Sequence, residues 1–405
     1  MRVVGLISGT SYDGIDAAAA ELSLDGDEVT LRPLGSISVP YPPQLRADLV
    51  AAMPPAATTA EAVCRLDTGI GQAFAEVART AIGELAGGRA DLVVSHGQTL
   101  YHWVSGRGAL GTLQLGQPAW IAERTGLPVL ADVRARDVAA GGHGAPLVSL
   151  FDVLLLGGAM RLGGGECLGG EPAGVRAALN LGGISNLTIM DPGQEPIAFD
   201  VGPANTLMDA AVSHATGGAE TYDRDGARAA RGVVQPDLLE RLLADPYYAL
   251  AAPKSTGKEH FNLAYLLAAQ AGGGAVAADD VVATVTALTA RTVAAACREH
   301  RVSSIVAAGG GTANPALMDL LRGAMPEVGV TTMDEHGIPS DAKEAYAFAL
   351  IGFLTVHGLP GTVASCTGAS RATVLGALLP GGAGFPELTP AAVPPRRLRI
   401  AGAGS

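Results

Sequence analysis

At 405 residues the chain is long enough for two domains, each with its own core. Hydrophobic residues at 48% and charged residues at 16% fit a packed globular protein and exclude a disordered or fibrous one. The 27 Lys and Arg stand against 39 Asp and Glu, a formal charge of -12, which speaks against nucleic acid or an anionic membrane as the main partner, since both demand a basic face.

The N-terminus enters a short β-branched run, "RVVGLI" (Arg2–Ile7), with no signal-peptide pattern. After the polar connection "ISGTSYDGID", two more extended segments follow, "IDAAAAELSL" and "EVTLRPLGSISVPY", an antiparallel start. Val63, Leu66, Ile70, Phe74, Val77, Ile82 and Leu85 then recur at helical spacing, and Gly87-Gly88 closes that helix. "ADLVVSHGQT" reads as a buried strand ending in a polar cluster, Pro118 as the first residue of a helix, and "LPVLADVRARD" as a return to strand.

The second half opens in the same way: "AALNLGGISNLTIM" (177–190) is strand, glycine turn, strand, and "PIAFD" is a strand ending at Asp200 before a helix near Asn205. "SSIVAAGGGTANPALMDLL" gives strand, triple glycine, and a helix capped by Asn314 with Pro315 in its first turn. Two related α/β halves are expected, 1–175 and 176–380, followed by a Pro-rich tail, 381–405, surface-bound or frayed. The glycine-laden stretch 156–174 between them is expected to be an exposed connection. No apolar stretch is expected to span a bilayer. Cys64, Cys167, Cys297 and Cys366 stand singly without zinc or CxxC spacing, as reduced and mostly buried residues of a cytoplasmic protein would.

The opening loop holds more donors and acids than a turn needs. Backbone N–H groups with the hydroxyls of Ser8, Thr10 and Ser11 can wrap a phosphate without any lysine. Asp13 and Asp16 are then placed to hold a magnesium ion beside it, directly or through water. The second hairpin "NLGGISN" supplies Gly182 and Gly183, so that two phosphate hairpins would clamp a nucleotide. "AAGGGTANP", with Gly309, Gly310, Gly311 and Asn314, suits close approach to an adenosine group. Other nucleotide folds fail on detail. "PKSTGKE" lacks the leading glycine and strand of a P-loop, and both early glycine turns run from strand into strand, unlike a dinucleotide-binding turn.

These paired RNase-H-like halves resemble the superfamily of sugar kinases, actin and heat-shock chaperones. Within it, "GLISGTSYDGID", "SHGQT", "ADVRARDVAAGGHGAPLV", "NLGGISN", "FDVGPANTLMDA", "PKSTGKEHFN", "GGGTANPALM" and "KEAYAFA", in that order, resemble the anhydro-N-acetylmuramic acid kinase family, up to "TGASRATVLG" near residue 376. The resemblance implies an ATP- and magnesium-dependent enzyme. It would open the anhydro bridge of 1,6-anhydro-N-acetylmuramic acid with water while phosphorylating O6, acting as a homodimer without nucleic acid or membrane partners. It places the ATP phosphates on Gly9, Thr10, Ser11, Tyr12, Asp13, Gly14, Ile15 and Asp16, the catalytic aspartate on Asp200, an acid near the sugar on Glu344, and sugar contacts on His96, Gln98, Asp132, Arg134 and Asp137. The chain departs from the family with His143 in "GGHGAP", where glutamine is common, and with "SYDG" for SLDG.

Bland readings stand beside these. Asp200 also suits a turn, Glu344 a solvated position one turn into a helix capped by Ser340, His96 a satisfied core histidine, and "DVRARD" a surface charge cluster. Two other functions stay open: a kinase of another 1,6-anhydro sugar of the levoglucosan type, and an ATP-switched binding protein.

Overall fold

A computed structural model of the chain describes residues 1–9, 12–105, 108–157 and 174–402. The chain divides into two compact units, Met1–Gly158 together with His336–Ser405, and Ala159–Glu335. In the first unit β1 (Arg2–Ser8), β2 (Gly14–Asp25) and β3 (Glu28–Pro40) form an antiparallel meander. Then β4 (Leu92–Ser105) lies parallel to β1, β5 (Gly108–Leu115) folds back on the end of β4, and β6 (Val129–Ala131) runs parallel to β4.

The second unit repeats the plan with β7 (Val175–Leu181), β8 (Ile184–Met190), β9 (Ile197–Pro203), β10 (Val302–Ala308) and β11 (Gly329–Thr332), in the order β11-β10-β7-β8-β9. β7, β8 and β9 are antiparallel neighbours, while β10 is parallel to β7 and to β11. Each half is thus a meander extended by parallel strands on one side, the mixed sheet of two RNase-H-like domains.

The division differs from the expected split at 175/176 with a second domain to 380. From residue 336 the chain re-enters the first unit: the helix Lys343–Val356 packs on β1, β12 (Ala377–Leu379) pairs with β6, and β13 (Arg397–Ile400) pairs in parallel with β3. The tail is therefore anchored rather than frayed, and Arg399 adds a 2.9 Å ion pair to Glu28. Edge β3 offers unpaired backbone groups, and the last strand satisfies them.

The helix Ala60–Glu84 follows its sequence signals closely. The Thr59 side chain accepts from the Ala62 N–H at its start, and Leu66, Ile70, Phe74 and Val77 face the core. Gly87 and Gly88 at positive φ end it, with the Gly88 N–H bonded to the Ile82 carbonyl at 2.9 Å.

One expectation is corrected: an apolar stretch long enough to span a bilayer is present. The helix Ala278–Glu299 is long and apolar enough to cross a membrane, with mean hydropathy 1.3, but 78% of that stretch is buried as the central helix of the second unit. Cys64 is exposed, while Cys297 and Cys366 are buried and unbridged; Cys167 and most of the 156–174 connection lie outside the described residues.

The helix Lys343–Val356 decides where the first unit's functional groups sit. A Cβ on Gly5 would stand 2.0 Å from the Ala345 carbonyl oxygen, and one on Gly352 would stand 2.2 Å from Val94 Cγ2. At Gly5 helix and strand thus touch through backbone, which fixes the helix's first turn over the middle of β1. Gly5→Val should force them apart and lower stability by about 1–3 kcal/mol or more; chemical denaturation of the variant checks this, with unchanged stability the contrary outcome.

Candidate active site

In the first unit the opening loop is held by β1 and β4. The Ser8 hydroxyl lies 2.7 Å from the Gly14 carbonyl and 2.6 Å from Gln98 Oε1, while Gln98 Nε2 donates to the carbonyls of Gly9 and Thr99 at 3.3 and 3.2 Å. Gln98, expected as a sugar contact, is buried with both amide ends engaged, and its geometry is that of the loop's anchor. Tyr12 takes a left-handed φ of 58, its N–H turned back to the Gly9 carbonyl, and Arg46 donates to its carbonyl. Asp13 is exposed and its carbonyl accepts from Tyr41. Gly14 and Ile15 begin β2, and Gly14 has no room for a Cβ, which would meet the Val39 carbonyl at 2.5 Å. Thr10 and Ser11 lie outside the described residues.

Asp16 points from β2 into an acidic corner. Burial raises its pKa; a hydrogen bond with Ser38 opposes this, and the charges of Asp341 and Asp13 reinforce it. A cation would relieve that repulsion, yet among the described residues no group of three or more acids, histidines or cysteines has the geometry to hold a metal directly. Two carboxylates, Asp13 and Asp16, suit a cation that keeps most of its water shell.

Beside this corner, β4 and the segment after β6 meet around a histidine. His96 is 3% exposed and packs on Phe348, 4.8 Å between ring centroids. Its Nδ1–H donates to the Gly97 carbonyl at 2.9 Å, and its Nε2 accepts from Arg134 Nε–H at 2.7 Å. Burial, then the Arg134 charge, hold its pKa well below the usual value, so the ring is neutral with its tautomer set by its partners. Arg134 also donates to the Gly144 carbonyl at 2.6 Å. Burial pushes its pKa down to about 10, against the pull of Glu344 and Asp137.

Glu344 stands in the first turn of the helix Lys343–Val356, one turn before Phe348. Burial raises its pKa, Arg134 and Lys343 counter this, and Asp16 and Asp152 add to it. Ser340 does not cap the helix: the N-cap is Ala342, without a side-chain bond. The start is fixed instead by a buried ion pair from Lys343 to Asp152, 2.5 Å long with side chains 3% and 6% exposed. Losing one partner of such a pair costs about 3–5 kcal/mol. Asp132 is exposed and left-handed at φ 52, at the end of β6. Asp137 is fully buried and accepts from the Gly144 N–H and the Thr367 hydroxyl, both at 2.8 Å. It braces the 137–144 loop, and "DVRARD" is not a surface cluster throughout.

In the second unit Asp200 lies within β9 rather than at its end. Its Oδ2 accepts from the Thr256 N–H at 3.0 Å. Burial pushes its pKa up to about 6, opposed by that N–H and reinforced by Glu259. The Gly182-Gly183 turn accepts the N–H groups of Ala204, Asn205 and Thr206, tying hairpin to helix start. A Cβ on Gly183 would meet Thr206 Oγ1 at 2.7 Å and Lys258 Cε at 3.4 Å.

The triple glycine answers to the protein first. A Cβ on Gly309 would meet Asn180 Oδ1 at 2.7 Å and one on Gly311 would meet Leu181 Cβ at 2.7 Å, whereas Gly310 has only Asn205 nearby at 3.8 Å. Asn314 likewise spends its Oδ1 on the Leu317 N–H as N-cap of the helix Pro315–Ala324. Close packing onto the second hairpin explains two of the three glycines, and capping explains Asn314.

Sequence reading missed Lys343–Asp152, the strap residues Tyr247, Lys254 and Thr256, and the Arg134–His96 bond. The signals were present: a lysine beside the glutamate in "KEAYAFA", and "PKSTGKE", weighed only as a failed P-loop.

Asp137→Ala should leave the Gly144 N–H and Thr367 hydroxyl without their charged acceptor, at about 1.5–3 kcal/mol per bond. Urea unfolding checks this; stability within ~0.5 kcal/mol of wild type, the range of ordinary surface changes, would contradict the bracing role.

A family model described as anhydro-N-acetylmuramic acid kinase matches residues 1–381. A protein of that name from Streptomyces coelicolor is 58% identical over 402 residues, spanning 99% of this chain and 100% of its own length. Its namesake from Rhodococcus erythropolis is 54% identical over 407 residues, spanning 99% of each. A third, from Streptomyces avermitilis, is 57% identical over 381 residues, spanning 94% of this chain and 95% of its own. With a match over nearly the whole length and relatives above half identity, the chain belongs to the anhydro-N-acetylmuramic acid kinase family.

Proposed function

We propose that the protein uses ATP and water to convert 1,6-anhydro-N-acetylmuramic acid into N-acetylmuramic acid 6-phosphate, a step of cell-wall recycling. The observation that carries this reading is Asp200, a buried carboxylate with one oxygen tied to the Thr256 N–H and a pKa pushed up to about 6. A base poised near neutrality, oriented by its neighbours, is what activation of a water requires.

The step balances simply. The oxygen of water bonds to the anomeric carbon, the bond from that carbon to O6 breaks, and O6 takes the γ-phosphoryl group as ADP leaves. Asp200 receives the water's proton. This resembles inversion in a glycosidase, with the phosphoryl group in place of the acid's proton. Glu344, kept near Arg134, orients the sugar or water, while Arg134, held by the neutral His96 ring, presents a fixed donor to sugar hydroxyls. Backbone N–H groups of Gly9 to Asp16 and of the Gly182-Gly183 turn hold phosphates. When bound with ATP, magnesium neutralises phosphate charge, and Asp16 with Asp13 would hold it through water.

Asp200→Asn keeps the side chain's shape but removes the base, so kcat should fall by about 10² to 10⁴ with ATP binding retained. Turnover near wild type would discard the assignment. Because the base must be ionised, wild-type kcat should climb as pH rises through about 6 and be lost below it. An acidic limb absent between pH 5 and 7, an interval of about one unit either side, would contradict it. The sugar is tested by ATP turnover with 1,6-anhydro-N-acetylmuramic acid and with levoglucosan: preference for levoglucosan would favour the other sugar, and no turnover with any anhydro sugar would favour an ATP-switched binding protein.

A further inference from the structure

β9 is the outer strand of the second unit's sheet, so the backbone groups of Asp200 on its far edge lack a strand partner. The segment 247–256 supplies them instead. The Asp200 N–H donates to the Lys254 carbonyl at 2.9 Å, and the Tyr247 hydroxyl donates to the Asp200 carbonyl at 2.7 Å. With the Thr256 N–H on Oδ2 at 3.0 Å, one short segment holds Asp200 at backbone and carboxylate alike.

What holds the segment itself is Lys254. Its ammonium donates to the carbonyls of Tyr247 and Tyr248 at 3.1 and 3.2 Å and lies 4.7 Å from the Tyr247 ring centroid. Those two carbonyls belong to the short turn Pro246–Ala249, so the lysine draws the two ends of the strap together. Tyr247 also packs edge-on against Tyr248, His260 and Phe261, which leaves its hydroxyl one direction to point. Lys254 is half-buried, and burial lowers its pKa, the mark of an ammonium committed to protein rather than water.

We propose that Lys254 is a positioning residue for the general base: by tying Tyr247 and Tyr248 to its own segment it fixes the strap 247–256, which in turn aims the Asp200 carboxylate. The first lysine of "PKSTGKE" thus serves the base. The strap engages Oδ2 of Asp200 through the Thr256 N–H. This rests on Asp200 being the base.

The test compares Lys254→Met, Tyr247→Phe, Asp200→Asn and the double variant Asp200→Asn/Lys254→Met, each checked for folding by thermal unfolding and assayed with ATP, magnesium and 1,6-anhydro-N-acetylmuramic acid. Misplacing a reacting group by about 1 Å costs ~10²-fold, so Lys254→Met should lose kcat by up to that factor with both KM values little changed. Its acidic limb should also move to higher pH, because a carboxylate that loses the Thr256 N–H loses support for its charged form. Tyr247→Phe should move both quantities the same way by less. In the Asp200→Asn background, Lys254→Met should add no further loss.

A folded Lys254→Met enzyme with wild-type kcat and an unmoved acidic limb overturns the proposal, as does a loss that adds in full to that of Asp200→Asn. Should Lys254→Met not fold, Tyr247→Phe decides, and an unmoved limb there overturns it. Wild-type turnover by Asp200→Asn instead marks failure of the base assignment itself.

Discussion

The carbonyl oxygen of Ala345 fills the place where a side chain on Gly5 would begin, 2.0 Å from an ideal Cβ. Helix and strand therefore meet backbone to backbone, and the position of the helix Lys343–Val356 over the first sheet is set by contact rather than by a layer of adaptable side chains. Further along the same helix, Gly352 makes room for the side chains of Val94 and Leu92. Several charged and aromatic groups of the first unit are referenced to this contact. Glu344 begins the helix, Phe348 backs His96, and Ala345 lies on the strand that leads into the opening loop.

Rigid backbone contact brings several charges together, and the first unit manages them by pairing. Lys343 and Asp152 neutralise each other out of solvent. Arg134 is tied to His96 and the Gly144 carbonyl and biases Glu344 toward its charged form, while Asp137 is consumed by the loop it braces. Asp16 is less well matched: burial raises its pKa, and the charges of Asp341 and Asp13 add to it.

The second unit solves a different problem. Its central strands are covered by helices, but Asp200 sits on the outer strand, where a carboxylate would be free to swing. The strap 247–256 holds it by three hydrogen bonds, and burial raises its pKa into a range useful to a base. The triple glycine shows how packing and ligand demands share a motif: Gly309 and Gly311 are needed by Asn180 and Leu181, and only Gly310 keeps open space.

Local signals in the sequence determined much of this. The 3.6-residue spacing from Val63 to Leu85, the Gly87-Gly88 stop, the Asn314-Pro315 start and the two glycine hairpins each depend on residues close in the chain, so they could be read there, and with them the α/β class and the repeated halves. The ordered motifs likewise pointed to the family. Tertiary structure alone decided the rest, because it joins residues far apart in sequence: that 336–405 return to the first unit, that Lys343 pairs with Asp152, that Gln98 and Asp137 hold loops, and that Lys254 and Tyr247 grip Asp200. A sequence shows which side chains are able to bond, but partners nearly two hundred residues apart are chosen only when the sheets and helices have brought them within hydrogen-bonding reach.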